Sequence, residues 1–260
     1  MKDIQNESDD RNIPINKVGV GDVRYPIFLK DRQYGEQHTI GTVNMYVNLP
    51  ENFRGTHMSR FIEILHAHAN RMELQNVQKI LLDMKRILRA NQAHMTMNFP
   101  YTIEKHAPVT GIKSHMVIDC AFDAMLNKDD QFIFILVVTV PIQTVCPCSK
   151  AISDRGAHNQ RAYVTVKMKM SKMVWIEEVV EDIEKAASSP VFPLLKRSDE
   201  KYITERGYDN PKFVEDVARD LAIELKKNLS VKWFHLSVTS QESIHNHHAY
   251  ACLEWERKQV

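Results

Sequence analysis

Apolar and polar residues alternate along several segments of the chain, a pattern that predicts strands with one buried face. The clearest segments have apolar residues at every second position: Val43, Met45, Val47 and Leu49, and later Ala162, Val164, Val166, Met168 and Met170. The longest apolar run, 132–142, is about half of the roughly 20 residues that a membrane helix requires. It therefore predicts a strand that is buried on both faces.

Apolar residues spaced three and four apart predict amphipathic helices in both halves of the chain. They are Val77, Ile80, Leu81, Met84 and Leu88 in the first half, and Ile176, Val179, Val180, Ile183 and Ala187 in the second. A further helix is predicted from Asn210 as its N-cap residue and Pro211 at the first helical position. Its buried face would consist of Val214, Val217, Ala218, Leu221 and Leu225.

These elements follow the same order twice, with two strands, two helices and two strands in each half. The first half is predicted to have strands at 21–30, 36–49, 93–106 and 114–125 and helices at 57–70 and 73–90. The second half is predicted to have strands at 131–143, 160–171, 231–241 and 248–257 and helices at 174–187 and 211–228. The fold class is therefore α+β, built from two tandem ββααββ units.

A polar turn at 127–130 separates the two units. We predict a first unit at 16–128 and a second unit at 129–260, preceded by a polar, flexible arm at 1–15. Each unit is an antiparallel sheet with helices on one face, so its other face and its edge strands need a cover. Homo-oligomerisation is the expected cover, and sites in such assemblies often fall at subunit seams.

Charge and composition exclude several classes of partner. Lys and Arg (34) nearly balance Asp and Glu (33), so the chain lacks the basic field that binds a nucleic-acid backbone. The first residues lack the apolar core of a signal peptide, and no apolar run is long enough to cross a membrane. We therefore expect a cytoplasmic protein whose four cysteines are reduced.

Cys146, Cys148 and His158 lie close together in the chain, in irregular backbone between two predicted strands. A thiolate and an imidazole suit zinc or a neighbouring divalent metal, and catalytic sites of this kind usually have three protein ligands and one open position. No Cys-x-x-Cys or His-x-x-x-His pair is present to close a structural site, so a third ligand must come from elsewhere. By themselves, a buried thiol and a solvated loop imidazole explain the same pattern.

Five motifs, in order along nearly the whole chain, resemble those of the type IB GTP cyclohydrolases, a family of the tunnelling-fold superfamily of purine- and pterin-binding proteins. They are the segments 55–61, 108–114, 146–161, 199–202 with 210–216, and 242–247. The resemblance implies a tandem tunnelling fold in each subunit of a homotetramer. It also implies opening of the imidazole ring of GTP to give formate and 7,8-dihydroneopterin triphosphate, the first step of tetrahydrofolate synthesis.

The resemblance, carried over position by position, implies Cys146, His158 and Glu200 as ligands of one divalent metal per site, either Zn²⁺, Mn²⁺ or Fe²⁺. Such an ion lowers the pKa of a bound water from about 16 toward neutrality, so that water can attack C8 of the purine. Glu215 is implied as the anchor of the guanine base. A carboxylate at this position accepts hydrogen bonds from N1–H and the exocyclic amine of guanine, which adenine does not offer.

Residues near the C-terminus and four basic positions complete the candidate site. Glu242, His245 and His247 are candidate proton donors to a ring nitrogen, and the two histidines, two residues apart, can face the same way. Cys146 is counted among the catalytic residues as well as among the ligands. The candidate triphosphate contacts are His57, Arg60, Lys113 and Arg161.

Other interpretations of these residues remain open at this point. Glu200 also fits a surface carboxylate in the charged loop 196–201, and Glu215 fits an exposed acid that favours the helix dipole. A nitrile reductase acting on a deazaguanine would use Cys146 or Cys148 as its nucleophile. The remaining alternatives are a relative that makes a cyclic phosphate from GTP and a non-catalytic binder of purines or pterins.

Overall fold

The structure is a computed structural model, and it describes residues 5, 7–68 and 72–258. Its strands are β1 (Ile15–Asp31), β2 (Gly35–Leu49), β3 (Ala93–His106), β4 (Lys113–Leu126), β5 (Phe132–Val145), β6 (Asn159–Met170), β7 (Ser189–Pro190), β8 (Val231–Gln241) and β9 (His248–Glu256). Its helices are α1 (Met58–His68), α2 (Leu74–Ile87), α3 (Pro147–Ile152), α4 (Ile176–Ala186), α5 (Arg197–Asp209) and α6 (Val214–Lys227).

The strands form an antiparallel sheet in the order β1-β2-β3-β4-β5-β6-β8-β9, and the short β7 pairs with β5. The predicted α+β class with an antiparallel sheet is therefore confirmed. The chain forms two compact units, one with Met1–Pro100 and Ala121–Ile135, the other with Tyr101–Cys120 and Leu136–Val260. Each of β3, β4 and β5 contributes residues to both units, and the division into repeats at 16–128 and 129–260 stays a prediction.

In the first compact unit, the predicted alternation and helical periodicity both match the buried residues. Val43, Met45 and Val47 of β2 are almost completely buried, as the period of two requires. On α2 the buried residues are Val77, Ile80, Leu81 and Met84, which form the predicted stripe. Helix α1 packs against α2 and β1, and it ends at His68; the last two residues of the predicted helix 57–70 lie outside the described residues.

In the second compact unit, α6 packs against β8, β9 and α4, so these helices cover one face of the strands. Residues that point toward them from β6 are buried, whereas Tyr163 on the opposite side is 39% exposed. The strand β5 alternates between buried and half-buried residues, so the prediction that it is buried on both faces is wrong. On the side of Tyr163, α5 packs against the end of β5, because Gly207 lies next to the side chains of Gln143 and Val145.

The helix predicted from Asn210 and Pro211 begins later, at Val214. Asn210 instead follows the end of α5, where its side-chain amide donates to the carbonyls of Ala187 and Ser188. The start of α6 is stabilised by Asp216, whose carboxylate accepts a hydrogen bond from the backbone N–H of Phe213. The capping prediction was wrong because the amide of Asn210 is used in a tertiary contact.

Helix α5 was not predicted, because the apolar residues of 197–209 do not form a stripe. Its buried residues are Asp199 and Gly207, and neither has the large apolar side chain by which a buried helix face is recognised in a sequence. The segment that carries Glu200 is consequently a helix and not the charged loop considered above. Among the described residues, no helix is both long and apolar enough to cross a membrane.

Candidate functional site

The loop between β5 and β6 holds Cys146 and His158 next to each other through one main-chain hydrogen bond and two bonds to the hydroxyl of Ser149. The N–H of Cys146 donates to the carbonyl of His158 at 3.1 Å. The hydroxyl of Ser149 accepts from the N–H of His158 at 3.1 Å and donates to the carbonyl of Cys146 at 3.2 Å. Since these bonds close the loop that includes α3, the thiol and the imidazole start from adjacent backbone positions.

The thiols of this loop are at least partly accessible, and its imidazole is held by a neighbouring side chain. Cys146 is half-buried and Cys148 is exposed, and the N–H of Ser149 donates to Cys146 Sγ at 3.4 Å. His158 Nδ1 lies 2.8 Å from Gln160 Oε1, and Gln160 Nε2 donates to Thr144 Oγ1 at 3.2 Å. With Nδ1 engaged in this way, Nε2 is the ring nitrogen that can offer a lone pair to a ligand.

The segment between β8 and β9 reaches the same loop through Ser243. Its hydroxyl lies 3.5 Å from His158 Nδ1, and the neighbouring Glu242 accepts a hydrogen bond from Ser240 Oγ at 2.9 Å. The rings of His245 and His247 stack, with centroids 5.1 Å apart and planes inclined by 18°. The prediction that the two imidazoles can face the same way is therefore confirmed, while their role in catalysis stays a prediction.

Glu215 is the second residue of α6, and it is exposed there. The segment before α6 is attached to the end of β5, because the N–H of Lys212 donates to the carbonyl of Val145 at 3.0 Å. Val145 is the residue before Cys146, so this bond brings the start of α6 close to the loop that carries the thiol. Both the predicted guanine anchor and the predicted ligands Cys146 and His158 thus belong to the second compact unit.

Asp199, the residue before Glu200, holds the start of α5 against another of the motifs. Its side chain is completely buried. One carboxylate oxygen accepts from the N–H groups of Val109 and Thr110, both at 2.9 Å, and the other accepts from the hydroxyl of Thr110 and the N–H of Lys196. Four hydrogen bonds to one carboxylate fix the turn around Val109 relative to the first turn of α5.

The environment of Asp199 lowers its pKa. Burial alone raises the pKa of this carboxyl, but the hydrogen bonds from the N–H groups of Thr110, Lys196 and Val109, together with the Thr110 hydroxyl, outweigh it and lower the pKa to about 2. Because this is below the ordinary value of 3.8, the charged carboxylate stabilises the folded chain above about pH 4. That contribution disappears as the pH falls toward 2.

We expect Asp199→Asn to lower the melting temperature at pH 7 by roughly 5 °C. Asparagine replaces one of the two carboxylate oxygens with an amide NH₂ group. This group cannot accept the hydrogen bonds that the oxygen accepts now. The difference in melting temperature between the variant and the unaltered chain should shrink as the pH is lowered from about 5 toward about 2.5, because the protonated carboxyl loses the same charge-assisted bonds. Thermal unfolding followed by circular dichroism measures both melting temperatures. Asp129→Asn, at an exposed turn position, is the control and should leave the melting temperature unchanged at every pH.

Glu200 itself is exposed on α5. In the described part of the chain, no group of three or more His, Cys, Asp or Glu side chains is close enough to hold a metal ion. The structure thus brings the backbones of Cys146 and His158 together and does not gather Glu200 with them. The donor chemistry still fits a zinc-type ion, because a thiol, an imidazole oriented through its second nitrogen and an exposed carboxylate are available.

The basic residues predicted to bind triphosphate are spread over both compact units. Arg161 lines a cavity of about 260 Å³ together with Gln143, Asn159, Gln160, Pro190, Val191, Phe192, Leu195 and Ile203. Lys113 forms an ion pair with Glu104 at 3.0 Å. In the first unit, Arg60 donates to the carbonyl of Ile87 at 3.2 Å, and the carbonyl of His57 accepts from the N–H of Arg60. Arg161 is therefore the basic residue best placed beside the Cys146–His158 loop.

Sequence reasoning assigned no role to Asp199, Gln160, Ser149 or Ser243. The position of Gln160 could have been predicted from the sequence. It lies two residues after His158, and side chains two residues apart in extended backbone point to the same side. Asp199 carried a weaker signal, since an acid in the third helical position often accepts from the N-cap backbone. The contacts of Ser149 and Ser243 depend on how distant segments pack, and nothing in their local sequence predicts them.

The whole chain matches known proteins. The model of the family described as "Type I GTP cyclohydrolase folE2" matches residues 1–251. The protein named GTP cyclohydrolase FolE2 from Kosmotoga olearia is 55% identical over 254 residues, which are 98% of each chain. The protein of the same name from Fervidobacterium nodosum is 52% identical over 97% of each chain. The one from Thermosipho africanus is 49% identical over the full length of each chain.

Solved structures support the fold alone. Uricase from Arthrobacter globiformis superposes with a TM-score of 0.56 at 7% identity, and the match covers 94% of both chains. A uricase from Bacillus fastidious superposes with a TM-score of 0.55 at 8% identity, and the match covers 92% of this chain and 93% of the uricase. The urate oxidase likeness is that of the tunnelling fold predicted from the motifs. With its family model and relatives matched from end to end, the chain belongs to the type I GTP cyclohydrolases of the FolE2 family.

Proposed function

We propose that this chain hydrolyses GTP at C8 to 7,8-dihydroneopterin triphosphate and formate, the first step of tetrahydrofolate synthesis, with one divalent metal per site. The family is consistent with a divalent metal. Cys146, His158 and Glu200 would hold the ion, and Zn²⁺, Mn²⁺ and Fe²⁺ all accept this mixture of sulfur, nitrogen and oxygen ligands. When bound, the ion would supply a Lewis acid that activates water at neutral pH.

The observation that carries the proposal is the closed loop around Cys146 and His158. A main-chain bond and the hydroxyl of Ser149 hold the two residues side by side, and the contact from Gln160 to Nδ1 leaves Nε2 of His158 available. A loop that served only to connect β5 and β6 would not need its imidazole oriented by a side chain that is itself anchored on Thr144. Glu200, exposed on α5, is the carboxylate that would complete the set.

The chain's own residues would perform the remaining steps. Glu215 would accept the N1–H and the exocyclic amine of guanine, and its exposure at the start of α6 leaves the carboxylate open to a ligand. Glu242, His245 and His247 would supply the proton to a ring nitrogen as the imidazole ring opens. The Ser243 contact with His158 supports this assignment, because it attaches their segment to the loop of the ligands. Arg161 would contact the triphosphate, with His57, Arg60 and Lys113 as further candidates.

A homotetramer with sites at subunit seams is part of the proposal. The last strand in the sheet order, β9, has no buried residue, and its Tyr250 is 60% exposed. An edge strand next to a sheet face with exposed tyrosines is a surface that other copies of the chain would cover. Native mass spectrometry should give four chains per particle, and a monomer at micromolar concentration would contradict this part of the proposal.

The enzymatic proposal is tested by removing metal with a chelator and incubating the chain with GTP while Zn²⁺, Mn²⁺ or Fe²⁺ is added back. We expect no product without metal, and equal amounts of formate and a pterin triphosphate once a competent ion is present. A pterin that carries a cyclic phosphate would instead favour the alternative product. Oxidation of NADPH with a deazaguanine nitrile and no metal would favour the reductase, and tight GTP binding without turnover for any ion would favour a binding protein.

A further inference from the structure

Gln160 connects the imidazole of His158 to the interior of the sheet. Its Oε1 lies 2.8 Å from His158 Nδ1, and its Nε2 donates to Thr144 Oγ1 at 3.2 Å. Thr144 is buried on β5 and lies directly opposite Gln160 in the register of β5 and β6. The amide therefore spans from a buried hydroxyl on one strand to the ring of His158 at the start of the next.

The direction of these bonds determines which ring nitrogen carries the proton. Because the amide nitrogen of Gln160 is turned toward Thr144, its oxygen faces His158, and a carbonyl oxygen only accepts. In the neutral imidazole, Nδ1 then carries the hydrogen and Nε2 keeps its lone pair. Ser243 Oγ, at 3.5 Å from the same Nδ1, adds a longer contact on that side of the ring.

We propose that Gln160 is a positioning residue that holds His158 in the tautomer and orientation in which Nε2 binds the metal. This inference rests on the proposed function, because it requires His158 to be a ligand. A metal-binding imidazole usually donates its second N–H to a fixed acceptor, and the loss of that acceptor weakens metal affinity by roughly 10- to 100-fold. Gln160 meets the requirements for such an acceptor, because its Oε1 lies beside Nδ1 of His158 and its amide is held in place by Thr144.

The test compares Gln160→Leu with Gln160→Glu in the full-length chain, by titration with Co²⁺ against a competing chelator. Leucine nearly keeps the volume and removes the acceptor, whereas glutamate keeps an oxygen toward Nδ1 and can accept from the hydroxyl of Thr144. We expect Gln160→Leu to bind Co²⁺ about 10- to 100-fold more weakly and Gln160→Glu to stay within about 3-fold of the unaltered chain. The thiolate-to-Co²⁺ absorption band should persist in both at saturating metal, because Cys146 is unchanged.

Gln75→Leu is the matched control. Gln75 is exposed on α2, in the first compact unit, and the variant makes the same exchange of an amide for an apolar side chain away from the candidate site. This variant should bind Co²⁺ within about 2-fold of the unaltered chain. If Gln160→Leu does not fold, as judged by circular dichroism, Gln160→Asn takes its place; it keeps the amide but shortens it by one methylene, and it should weaken binding in the same direction.

Two results would overturn the inference, and they differ in what else they affect. Equal Co²⁺ affinity in the folded Gln160 variants and the unaltered chain would remove the positioning role and leave the metal site standing. A complete lack of the thiolate band in the unaltered chain would remove the metal site of the proposed function and, with it, the role of Gln160.

Discussion

Cys146→Ala is expected to abolish metal retention and to lower GTP turnover by at least about 10³-fold, because a metal that activates water lowers the activation barrier by several kcal/mol. The fold should survive. Cys146 is only half-buried, and the bond that joins it to His158 uses the main-chain N–H, which alanine keeps. Two measurements on one sample test this prediction. Elemental mass spectrometry gives the amount of metal per chain, and formate release gives the turnover.

Cys148→Ala is the control for this prediction, since Cys148 is two residues further along and exposed. It should retain metal and turn over GTP within about 2-fold of the unaltered chain. The pair also separates a ligand from a nucleophile, because a covalent role would make activity depend on the thiol without any change in metal content. Near-normal turnover in Cys146→Ala would show that the metal assignment is wrong.

Glu215→Gln is expected to lower kcat/KM for GTP by roughly 10²- to 10³-fold, since two hydrogen bonds to a charged acceptor contribute about 1.5–3 kcal/mol each and glutamine preserves one of them in part. The effect should also reduce base selectivity. The unaltered chain should discriminate against inosine triphosphate, which lacks the exocyclic amine, and the variant should discriminate less. Steady-state kinetics with both nucleotides measures the change.

The alternative interpretation of Glu215, an acid that favours the helix dipole, predicts a different result. In that case Glu215→Gln would cost less than about 1 kcal/mol of stability and leave kcat/KM nearly unchanged. Glu224→Gln on the same helix is the matched control, because Glu224 pairs with Lys227 on the surface. Loss of activity in Glu215→Gln alone, with both melting temperatures preserved, would support the guanine anchor.

Periodicity predicted the strands and the amphipathic helices well, because the residues of a buried face are apolar and recur at the period of the strand or helix. Helix α5 was missed for the opposite reason: its first turn is fixed by the buried carboxylate of Asp199, and Gly207 packs its last turn close to Gln143. Polar contacts of this kind have no period. The capping prediction at Asn210 failed similarly, since the amide bonds to carbonyls that are distant in the sequence.

The site was predictable to the extent that it is local. Cys146 and His158 are near in sequence, and the loop does hold them together. Glu200 and Glu215 came only from the resemblance to a family, because each alone is an ordinary surface acid on a helix. The anchoring of His158 by Gln160 and Ser243 required the register of β5 with β6 and the path of the segment after β8, which are tertiary features.

The most direct test is a crystal structure of the zinc-loaded chain, with anomalous data collected on both sides of the zinc edge. We expect one zinc ion per chain, with Cys146 Sγ at about 2.3 Å, His158 Nε2 at about 2.0–2.1 Å and a carboxylate oxygen of Glu200 at about 2.0–2.2 Å. A zinc ion bound elsewhere, or one bound by Cys146 and His158 while Glu200 stays in solvent, would contradict the proposed ligand set.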